Sequence, residues 1–315
     1  MTGSQLGTAP DVDELEAHRS ELKAYCYRML GSPFDAEDAV QETFVRAWRG
    51  LGRFEGRAAL RSWLYRIATN VCLDALQASK RRARPMDLGP AGAPLFENLN
   101  VPTEVTWIEP LPDPADAAVA GESIRLAFVA ALQRLPARQR AALILCEVLR
   151  WQSSEVAELL ETSTASVNSA LQRARATLEA TDASEPVSGE VDRELLDRYV
   201  AAFEGYDLEA LTSLIREDAQ QSMPPYDLWL RGRDDIFTWW WGPGIGCKGS
   251  RVVPVGRANG SPAFGQYKPS ADGGYEPWAL QVVEFSADGR IGELTFFLDT
   301  ERLFPLFGLP LQLEQ

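Results

Sequence analysis

Residues 151–178 have the sequence WQSSEVAELLETSTASVNSALQRARATL, in which two apolar stripes at helical spacing flank a short polar break. The first stripe predicts a short helix through Val156 and Leu160, and the break at residues 161–163 predicts a tight turn. Ser163 suits the cap of the next helix, because a serine hydroxyl accepts a hydrogen bond from a free backbone N–H group. The second stripe has four members, Val167, Leu171, Ala174 and Leu178. Two short helices joined by a turn form a helix-turn-helix unit.

A helix-turn-helix unit of the DNA-binding kind places the start of its second helix in the major groove. The polar residues at that start are Ser163, Thr164, Ser166 and Ser169. Arg173 and Arg175 follow, where guanidinium groups can reach phosphates. We therefore predict that these six residues contact duplex DNA. An ordinary helical hairpin has the same pattern and stays open as the alternative at this point.

Residues 60–82, LRSWLYRIATNVCLDALQASKRR, are a second candidate DNA-binding segment. On a helix over residues 60–81, the apolar stripe that we expect to face the core is Leu60, Leu64, Ile67, Val71, Ala75 and Ala78. A neighbouring stripe carries Trp63, Arg66, Asn70, Asp74, Gln77 and Arg81. Aromatic rings stack on unpaired bases, amides and carboxylates bond base edges, and arginines bind phosphates. The segment thus predicts contact with melted DNA, and a solvated helix face with a half-buried tryptophan is the alternative.

The charge distribution places a basic surface inside an acidic chain. The 315 residues carry a formal net charge of −14, yet residues 46–84 have a net charge of +8. Residues 85–124 have a net charge of −7, and residues 186–315 one of −9. Nucleic-acid binding depends on the local basic footprint, not on the total. Lys80, Arg81 and Arg82 extend the predicted phosphate contacts at the end of the basic segment.

Three motifs in a fixed order resemble a bacterial RNA polymerase sigma factor of the extracytoplasmic function group. DAEDAVQETFVRAWR (residues 35–49) and RSWLYRIATNVCLDALQASKRR (residues 61–82) resemble sigma domain two. LPARQRAALILCEVL (residues 135–149), followed by residues 151–178, resembles sigma domain four. As is usual in that group, no domain three stands between them. The resemblance covers about residues 12–180 and implies an all-α domain at 12–84 and another at 121–180.

The resemblance also implies a role for each motif. The helix that binds the clamp of the largest polymerase subunit would use Asp38, Gln41, Glu42, Phe44 and Arg46. The −10 element would be opened and read by Trp63, Arg66, Asn70 and Asp74, with Lys80, Arg81 and Arg82 on phosphates. The −35 element would be read by residues 163–175, and the polymerase flap would be a further contact. Asn168 and Ala170 replace the lysine and arginine that are frequent in this helix, so we expect weaker autonomous −35 binding.

The remaining chain divides into an acidic, proline-rich linker at residues 85–120 and a third domain at residues 188–315. A helix over residues 191–205 followed by alternating segments rich in Gly, Pro and aromatic residues predicts an α+β domain. Its pattern resembles the SnoaL-like family of the nuclear transport factor two fold, a curved sheet closed by helices into a cone. The linker segment WIEPLPDP (residues 107–114) resembles that of sigma factors carrying such a domain. The resemblance implies control of sigma activity in cis, through intramolecular contact with the sigma domains. The alternative is that the acidity of this domain only keeps the chain soluble.

The third domain contains the residues that could form a small-molecule pocket or an enzymatic site. The candidate pocket residues are Met223, Tyr226, Trp229, Trp240 and Phe296. Enzymes of related folds place an Asp or His base in the cone, but the single histidine is His18, so the candidates are Asp218, Asp227 and Asp299. We expect a regulatory domain and no enzymatic activity. Two alternatives stay open: a stand-alone helix-turn-helix regulator, and a SnoaL-like enzyme fused to a DNA-binding arm.

Several classes of protein are disfavoured by the sequence. The four cysteines are far apart and have no metal-ligand spacing, so we expect no metal and no cofactor. The N-terminal residues have neither a basic start nor an apolar core of the kind found in signal peptides. No apolar run approaches the ~20 residues of a membrane span. We therefore expect a cytoplasmic protein that binds core RNA polymerase and promoter DNA, and no membrane.

Overall fold

The computed structural model describes residues 12–54, 59–113, 124–179, 193–271 and 273–314. These residues form two compact units. The helical unit consists of the described residues between Met1 and Arg82 and between Leu126 and Ala183. The C-terminal unit consists of those between Ala83 and Arg125 and between Ser184 and Gln315. Within the described ranges, no helix is both long enough and apolar enough to cross a lipid bilayer.

The first part of the helical unit contains four helices, namely α1 (Val12–Glu16), α2 (Arg19–Leu30), α3 (Pro33–Gly50) and α4 (Leu60–Ala78). A tight connection sets the angle between α2 and α3. Gly31 ends α2 in the left-handed region, with a φ of 75° that favours glycine. The hydroxyl of Ser32 then accepts a hydrogen bond of 3.2 Å from the N–H group of Asp35, and Pro33 occupies the first turn of α3. The sequence around residues 31–35 therefore fixes this corner locally.

The buried face of α4 differs from the predicted stripe. It consists of Leu64, Tyr65, Ala68, Thr69, Val71 and Cys72. Ala75 and Ala78 are exposed, and the helix ends at Ala78, before residue 81. The rotation follows from Tyr65, whose ring meets the ring of Tyr25 edge-on at 5.2 Å and is fully buried. A buried tyrosine removes far more apolar surface from water than an alanine does, so the tyrosine decides which face turns inward.

The second part of the helical unit contains α5 (Leu126–Gln133), α6 (Ala137–Leu143) with a π-helical extension (Ile144–Val148), α7 (Ser153–Leu159) and α8 (Thr164–Glu179). Helices α7 and α8 are the predicted helix-turn-helix unit. The hydroxyl of Ser163 accepts from the N–H group of Ser166 at 3.1 Å, which confirms the predicted cap. Val167, Leu171 and Ala174 are buried, as predicted for the inner face of α8. The all-α prediction for both sigma-like regions is confirmed.

The C-terminal unit is an α+β fold, as predicted. Its helices are α9 (Arg193–Gly205), α10 (Leu208–Leu214), α11 (Arg233–Trp241) and α12 (Thr300–Leu306). Its main strands are β3 (Ile215–Ser222), β4 (Trp229–Arg231), β5 (Arg251–Ala258), β6 (Ser261–Pro269), β7 (Tyr275–Phe285) and β8 (Ile291–Phe297). They form a sheet in the order β4-β3-β8-β7-β6-β5, in which β3 and β8 are parallel and the other pairs are antiparallel.

An aromatic core fills the space between this sheet and its helices. Phe203 on α9 contacts Trp240 at 5.2 Å and Phe296 at 6.3 Å between ring centroids. The buried hydroxyl of Tyr199 donates to the side chain of Gln281 at 2.9 Å, and Gln281 donates to Gln266 at the same distance. Buried polar groups are stable only when they are bonded in this way. The helices are thus fixed to the sheet by both ring packing and side-chain hydrogen bonds.

The segment 84–113, which makes up most of the predicted linker, is an ordered part of the C-terminal unit. Short strands β1 (Arg82–Ala83) and β2 (Thr106–Trp107) pair where it begins and near its end. The N–H group of Gly92 donates to the carbonyl of Trp229 at 2.9 Å, and the Trp229 indole donates to the carbonyl of Gly89 at 2.9 Å. The chain segment that connects the two sigma-like regions in sequence is therefore attached to the C-terminal sheet by hydrogen bonds. Residues 114–123 and 180–192, which contain the predicted boundaries near residues 120, 180 and 188, lie outside the described residues.

Candidate nucleic-acid interface

One face of α3 presents the residues that the sequence assigns to polymerase binding. Asp38 and Gln41 are exposed, and Glu42 beside them is half-buried. The same face carries two apolar residues that the sequence did not assign, Val45 and Trp48. Trp48 is 68% exposed, although a tryptophan is normally among the more buried residues. An exposed tryptophan amid polar side chains is typical of a surface that another protein covers.

Phe44 and Arg46 are half-buried beside this exposed face. Phe44 is half-buried beneath the guanidinium group of Arg19, which stands 5.0 Å from the ring centroid. Arg46 donates to Glu42 at 2.7 Å and to Asp74 on α4 at 3.2 Å. The hydrogen bond to Glu42 raises the pKa of Arg46 above its usual range. Arg46 therefore joins the residues assigned to polymerase to those assigned to the −10 element.

A cavity of about 280 Å³ opens between α3 and α4, lined by Arg46, Gly50, Trp63, Ile67 and Asn70. The Trp63 ring packs on Phe54 at 4.9 Å, so its position is set by a second ring. Gly50 leaves room for this packing, because a Cβ atom there would stand 3.1 Å from the Trp63 ring, closer than an ordinary contact. Asn70 is exposed at the cavity wall, where its amide can both donate and accept. The arrangement offers a ring, an amide and a guanidinium around a space that a single planar group can enter.

The other residues predicted to bind the −10 element are partly engaged with neighbouring side chains. Arg66 donates to Glu158 on α7 at 3.3 Å, an exposed pair of the kind that contributes little energy. Lys80 and Arg81 are exposed beyond the end of α4. Arg82 differs, because its side chain is only 15% exposed and donates to Asp35 at 2.5 Å. The structure therefore shows Lys80 and Arg81 as solvent-facing cations and Arg82 as part of an internal ion pair.

The residues predicted to read the −35 element lie together on the outer face of α8 and its cap. Ser163, Thr164, Ser166, Ser169, Arg173 and Arg175 are all exposed. Arg175 donates to the Glu147 carboxylate, and this hydrogen bond raises the pKa of Arg175 above its usual range. Arg173, two residues earlier, is also exposed. The start of α8 is therefore a continuous hydroxyl-rich surface followed by two arginines.

Comparison with known proteins finds two matching family models in the helical part of the chain. The family model Sigma-70 region 2 matches residues 15–82, and Sigma-70, region 4 matches residues 125–178. The ECF RNA polymerase sigma factor SigG of Mycobacterium tuberculosis (strain ATCC 25618 / H37Rv) is 47% identical over 310 residues, which cover 94% of this chain and 82% of SigG. The chain belongs to the ECF sigma factor family. The helical unit of this sigma factor thus contains the two family regions, and the ordinary helical hairpin is no longer needed as an explanation of α7 and α8.

The C-terminal unit is also shared with a relative. SigJ of the same Mycobacterium tuberculosis strain is 33% identical over 211 residues, which cover 66% of this chain and 63% of SigJ. The crystal structure of M. tuberculosis SigJ matches with a TM-score of 0.61 and 25% identity, covering 96% of this chain and 100% of that chain. The match extends over both units, so the α+β fold accompanies the sigma regions in both proteins.

The five residues predicted to line a pocket in this sigma factor occur as packed side chains. Met223, Trp240 and Phe296 belong to one core cluster and are each less than a tenth exposed. Tyr226 is half-buried against the same cluster, and Trp229 is buried with its indole bonded to segment 84–113. The sequence correctly grouped three of these residues in space, but their surfaces are occupied by neighbouring side chains. Segment 84–113 contributes to this packing, since Phe96 stacks near Trp239 at 6.0 Å.

The three acidic residues considered for catalysis differ in exposure. Asp218 is exposed and accepts two hydrogen bonds from Arg216, which hold its pKa below the usual range. A lowered pKa makes Asp218 a weaker base. Asp299 is exposed next to Arg302 at 3.5 Å. Asp227 is half-buried, and its backbone N–H group donates to the carbonyl of Asn100 at 2.9 Å.

Proposed function

We propose that this sigma factor directs core RNA polymerase to its promoters, reads and opens the −10 element with α4, and reads the −35 element with α8. The observation that supports this proposal most directly is the cavity between α3 and α4. Opening a duplex by protein contact requires a pocket that captures a base once it leaves the stack, since unstacking costs a few kcal/mol. The Trp63 ring supplies a stacking surface, and the Asn70 amide supplies donor and acceptor groups for a base edge.

Arg46 has a double role in this proposal. It lines the base cavity and also lies next to the exposed face of α3, where Asp38, Gln41 and Trp48 would meet the polymerase clamp. Binding of polymerase to α3 would then shift the same guanidinium group that donates a hydrogen bond to Asp74 on α4. Because the ion pair is exposed, its loss requires little energy. Polymerase binding and base capture would in this way be coupled through one side chain.

The −35 element would be read by the hydroxyl-rich start of α8, with Arg173 on a phosphate. Hydroxyl groups donate and accept, so they discriminate bases less than an arginine on guanine does. Part of the recognition would therefore come from DNA shape. The exposed Asn168 supplies no charge, and binding of this helix to DNA would depend on polymerase, including a flap contact, for the remaining affinity.

The C-terminal unit would regulate this activity in cis, without catalysing a reaction. Segment 84–113, which links α4 to the second sigma region, is held by hydrogen bonds to the C-terminal sheet. Asn259 is central to this attachment, because it accepts from Leu111 N–H at 2.8 Å and donates to the Ile124 carbonyl at 2.6 Å. A change in the C-terminal unit would thereby act on the connection between the two DNA-reading regions.

The test separates promoter opening from polymerase binding. Trp63→Ala and Asn70→Ala are compared with Ser62→Ala, which is half-buried on α4, lies off the stripe predicted to contact DNA and does not line the cavity. Loss of one stacked base is worth about 1–3 kcal/mol, or roughly 5- to 150-fold in open-complex yield. We expect this loss for the first two variants only, with core-polymerase affinity unchanged. The template comes from a selected promoter pool, and open complexes are measured by reactivity of unpaired thymines.

Two results would contradict the proposal. If Trp63→Ala weakens polymerase binding as much as opening, the residue belongs to the polymerase surface. If the full-length protein with bacterial core polymerase produces no transcript from any selected promoter while it still binds duplex DNA, a stand-alone regulator should replace it.

A further inference from the structure

A second cavity, of about 410 Å³, lies within the helical unit at the end of α4 and is not explained by promoter binding alone. Helices α2, α3 and α4 border it on one side, and α5 and α6 on the other. Its wall consists of Leu30, Asp35, Ala75, Leu76, Ser79, Lys80, Arg81, Arg82, Gln133, Ala137 and Arg140. Pockets for small molecules have volumes of about 300–1,000 Å³, so this cavity is large enough for more than a single inorganic anion.

The wall of this cavity is strongly basic. Lys80, Arg81, Arg82 and Arg140 face one carboxylate, that of Asp35, which already pairs with Arg82 at 2.5 Å. The lining therefore has a net charge of +3 in a chain whose formal net charge is −14. Like charges that share a cavity repel one another, and an anion between them removes that repulsion. The composition of the wall thus favours an anionic ligand with more than one negative charge.

Arg140 differs from the exposed cations of this wall, because it is buried and binding to promoter DNA does not explain its presence. It is 5% exposed and donates to the Met29 and Leu135 carbonyls and to Gln133. Its Nε atom is buried, and among the described residues no acceptor lies within hydrogen-bonding distance of it. Burial, together with the nearby charge of Arg81, lowers the pKa of Arg140 to about 10, so the side chain keeps its charge at neutral pH. A buried N–H donor without an acceptor is unfavourable.

Apart from Gln133, the rest of the wall is apolar or small. Leu30 is buried and Leu76 half-buried beside Ala75 and Ala137. A ligand that uses the whole cavity therefore combines a multiply charged group with a flat or apolar body. A nucleoside diphosphate has both parts. Its terminal phosphate carries about −1.5 to −2 charges at neutral pH, and its base is a planar ring that packs on aliphatic side chains.

We propose that this cavity is a binding site for a nucleoside diphosphate, whose phosphates are bound by Lys80, Arg81 and Arg140 and whose base packs against Leu76 and Ala137. Arg is suited to this role because its fork of N–H groups matches phosphate oxygens. The site joins α4 to α5 and α6, so the bound nucleotide would brace the two sigma regions within the helical unit. It would also occupy Lys80 and Arg81, which are proposed to contact DNA.

The experiment measures binding of ADP, adenosine and inorganic phosphate to the full-length protein by calorimetry. We expect ADP to bind more tightly than either part alone. Arg81→Gln removes one cation from the wall and should weaken ADP binding by about tenfold or more, as for loss of a charged hydrogen bond. Ala137→Leu fills the cavity and keeps every cation, and it should abolish ADP binding. Arg134→Gln is the matched control, because Arg134 is exposed near the cavity but does not line it.

The outcomes distinguish a specific nucleotide site from non-specific electrostatic binding and from a surface that binds only DNA. Equal weakening by Arg81→Gln and Arg134→Gln would refute the site, as would ADP binding that Ala137→Leu leaves intact. If Arg81→Gln lowers affinity for promoter DNA while ADP does not bind at all, the basic wall serves DNA alone and the proposal is wrong. Should Ala137→Leu alter the circular dichroism spectrum, the smaller Ala137→Val replaces it.

Discussion

Substitution of Glu284 by glutamine should remove a pH-dependent part of the stability of the C-terminal unit. Glu284 on β7 lies directly opposite Glu293 on β8 in the antiparallel pair. Burial and the facing Glu293 together raise the pKa of Glu284 from 4.5 to about 7, against the opposing effect of Arg84 and Arg125. Arg84 stands 3.9 Å from Glu293. Two carboxylates in register are unfavourable when both are charged, so the proton on Glu284 stabilises the fold.

The sign and size follow from proton linkage. Because the pKa of Glu284 is higher in the folded protein than the 4.5 of an unperturbed glutamate, the folded protein binds the proton more tightly. This stabilisation is complete below about pH 4.5 and is lost as the pH rises through about 7. Each tenfold change in proton affinity is worth about 1.4 kcal/mol. The free energy of unfolding should therefore fall by at most about 3 kcal/mol over that range.

Urea unfolding of the full-length protein, followed by tryptophan fluorescence, measures this change, since most tryptophans lie in the C-terminal unit. Histidine also changes charge between about pH 5 and 8, so all variants carry His18→Asn. Glu284→Gln should flatten the decline in stability with pH, whereas Glu301→Gln, at an exposed position on α12, should leave it unchanged. Glu293→Gln should move the midpoint of the decline to lower pH. An equally steep decline in Glu284→Gln and the parent protein would refute the reasoning.

Four further outcomes are expected. Arg173→Ala should reduce the slope of log affinity against log salt for −35 DNA by about 0.9, one phosphate contact, and an unchanged slope would remove Arg173 from the DNA. Ser163→Ala should cost about 1 kcal/mol of unfolding free energy through loss of the α8 cap, whereas no loss would show that the cap is not used. Trp48→Ala should weaken core-polymerase binding in fluorescence anisotropy without lowering thermal stability, and equal binding would place the interface elsewhere. Asn259→Gly keeps the left-handed backbone (φ 53°) but removes both amide hydrogen bonds. It should destabilise the C-terminal unit by about 1–3 kcal/mol and change transcript yield, and an unaltered yield would count against regulation through segment 84–113.

Predictions from the sequence were correct where they depended on interactions between residues close together in the chain. Ser163 predicted a cap, and the hydroxyl makes that bond. The spacing of Val167, Leu171 and Ala174 predicted the buried face of α8. The same rule failed on α4, because Tyr65 packs against Tyr25, a contact between residues far apart in the chain that periodicity does not contain.

The sequence by itself determined the two sigma regions, their order, the helix-turn-helix unit and the α+β class of the C-terminal unit. These features depend on helical spacing, caps and turns, which residues close together in the chain specify. Tertiary structure alone decided the rest. It placed Arg46 in the cavity between α3 and α4, paired Arg82 with Asp35, and assembled the basic cavity around Arg140 from helices distant in the chain. It also packed the proline-rich segment 84–113 onto the sheet, although acidic composition predicts a linker. Such contacts depend on which surfaces meet, and composition does not specify that.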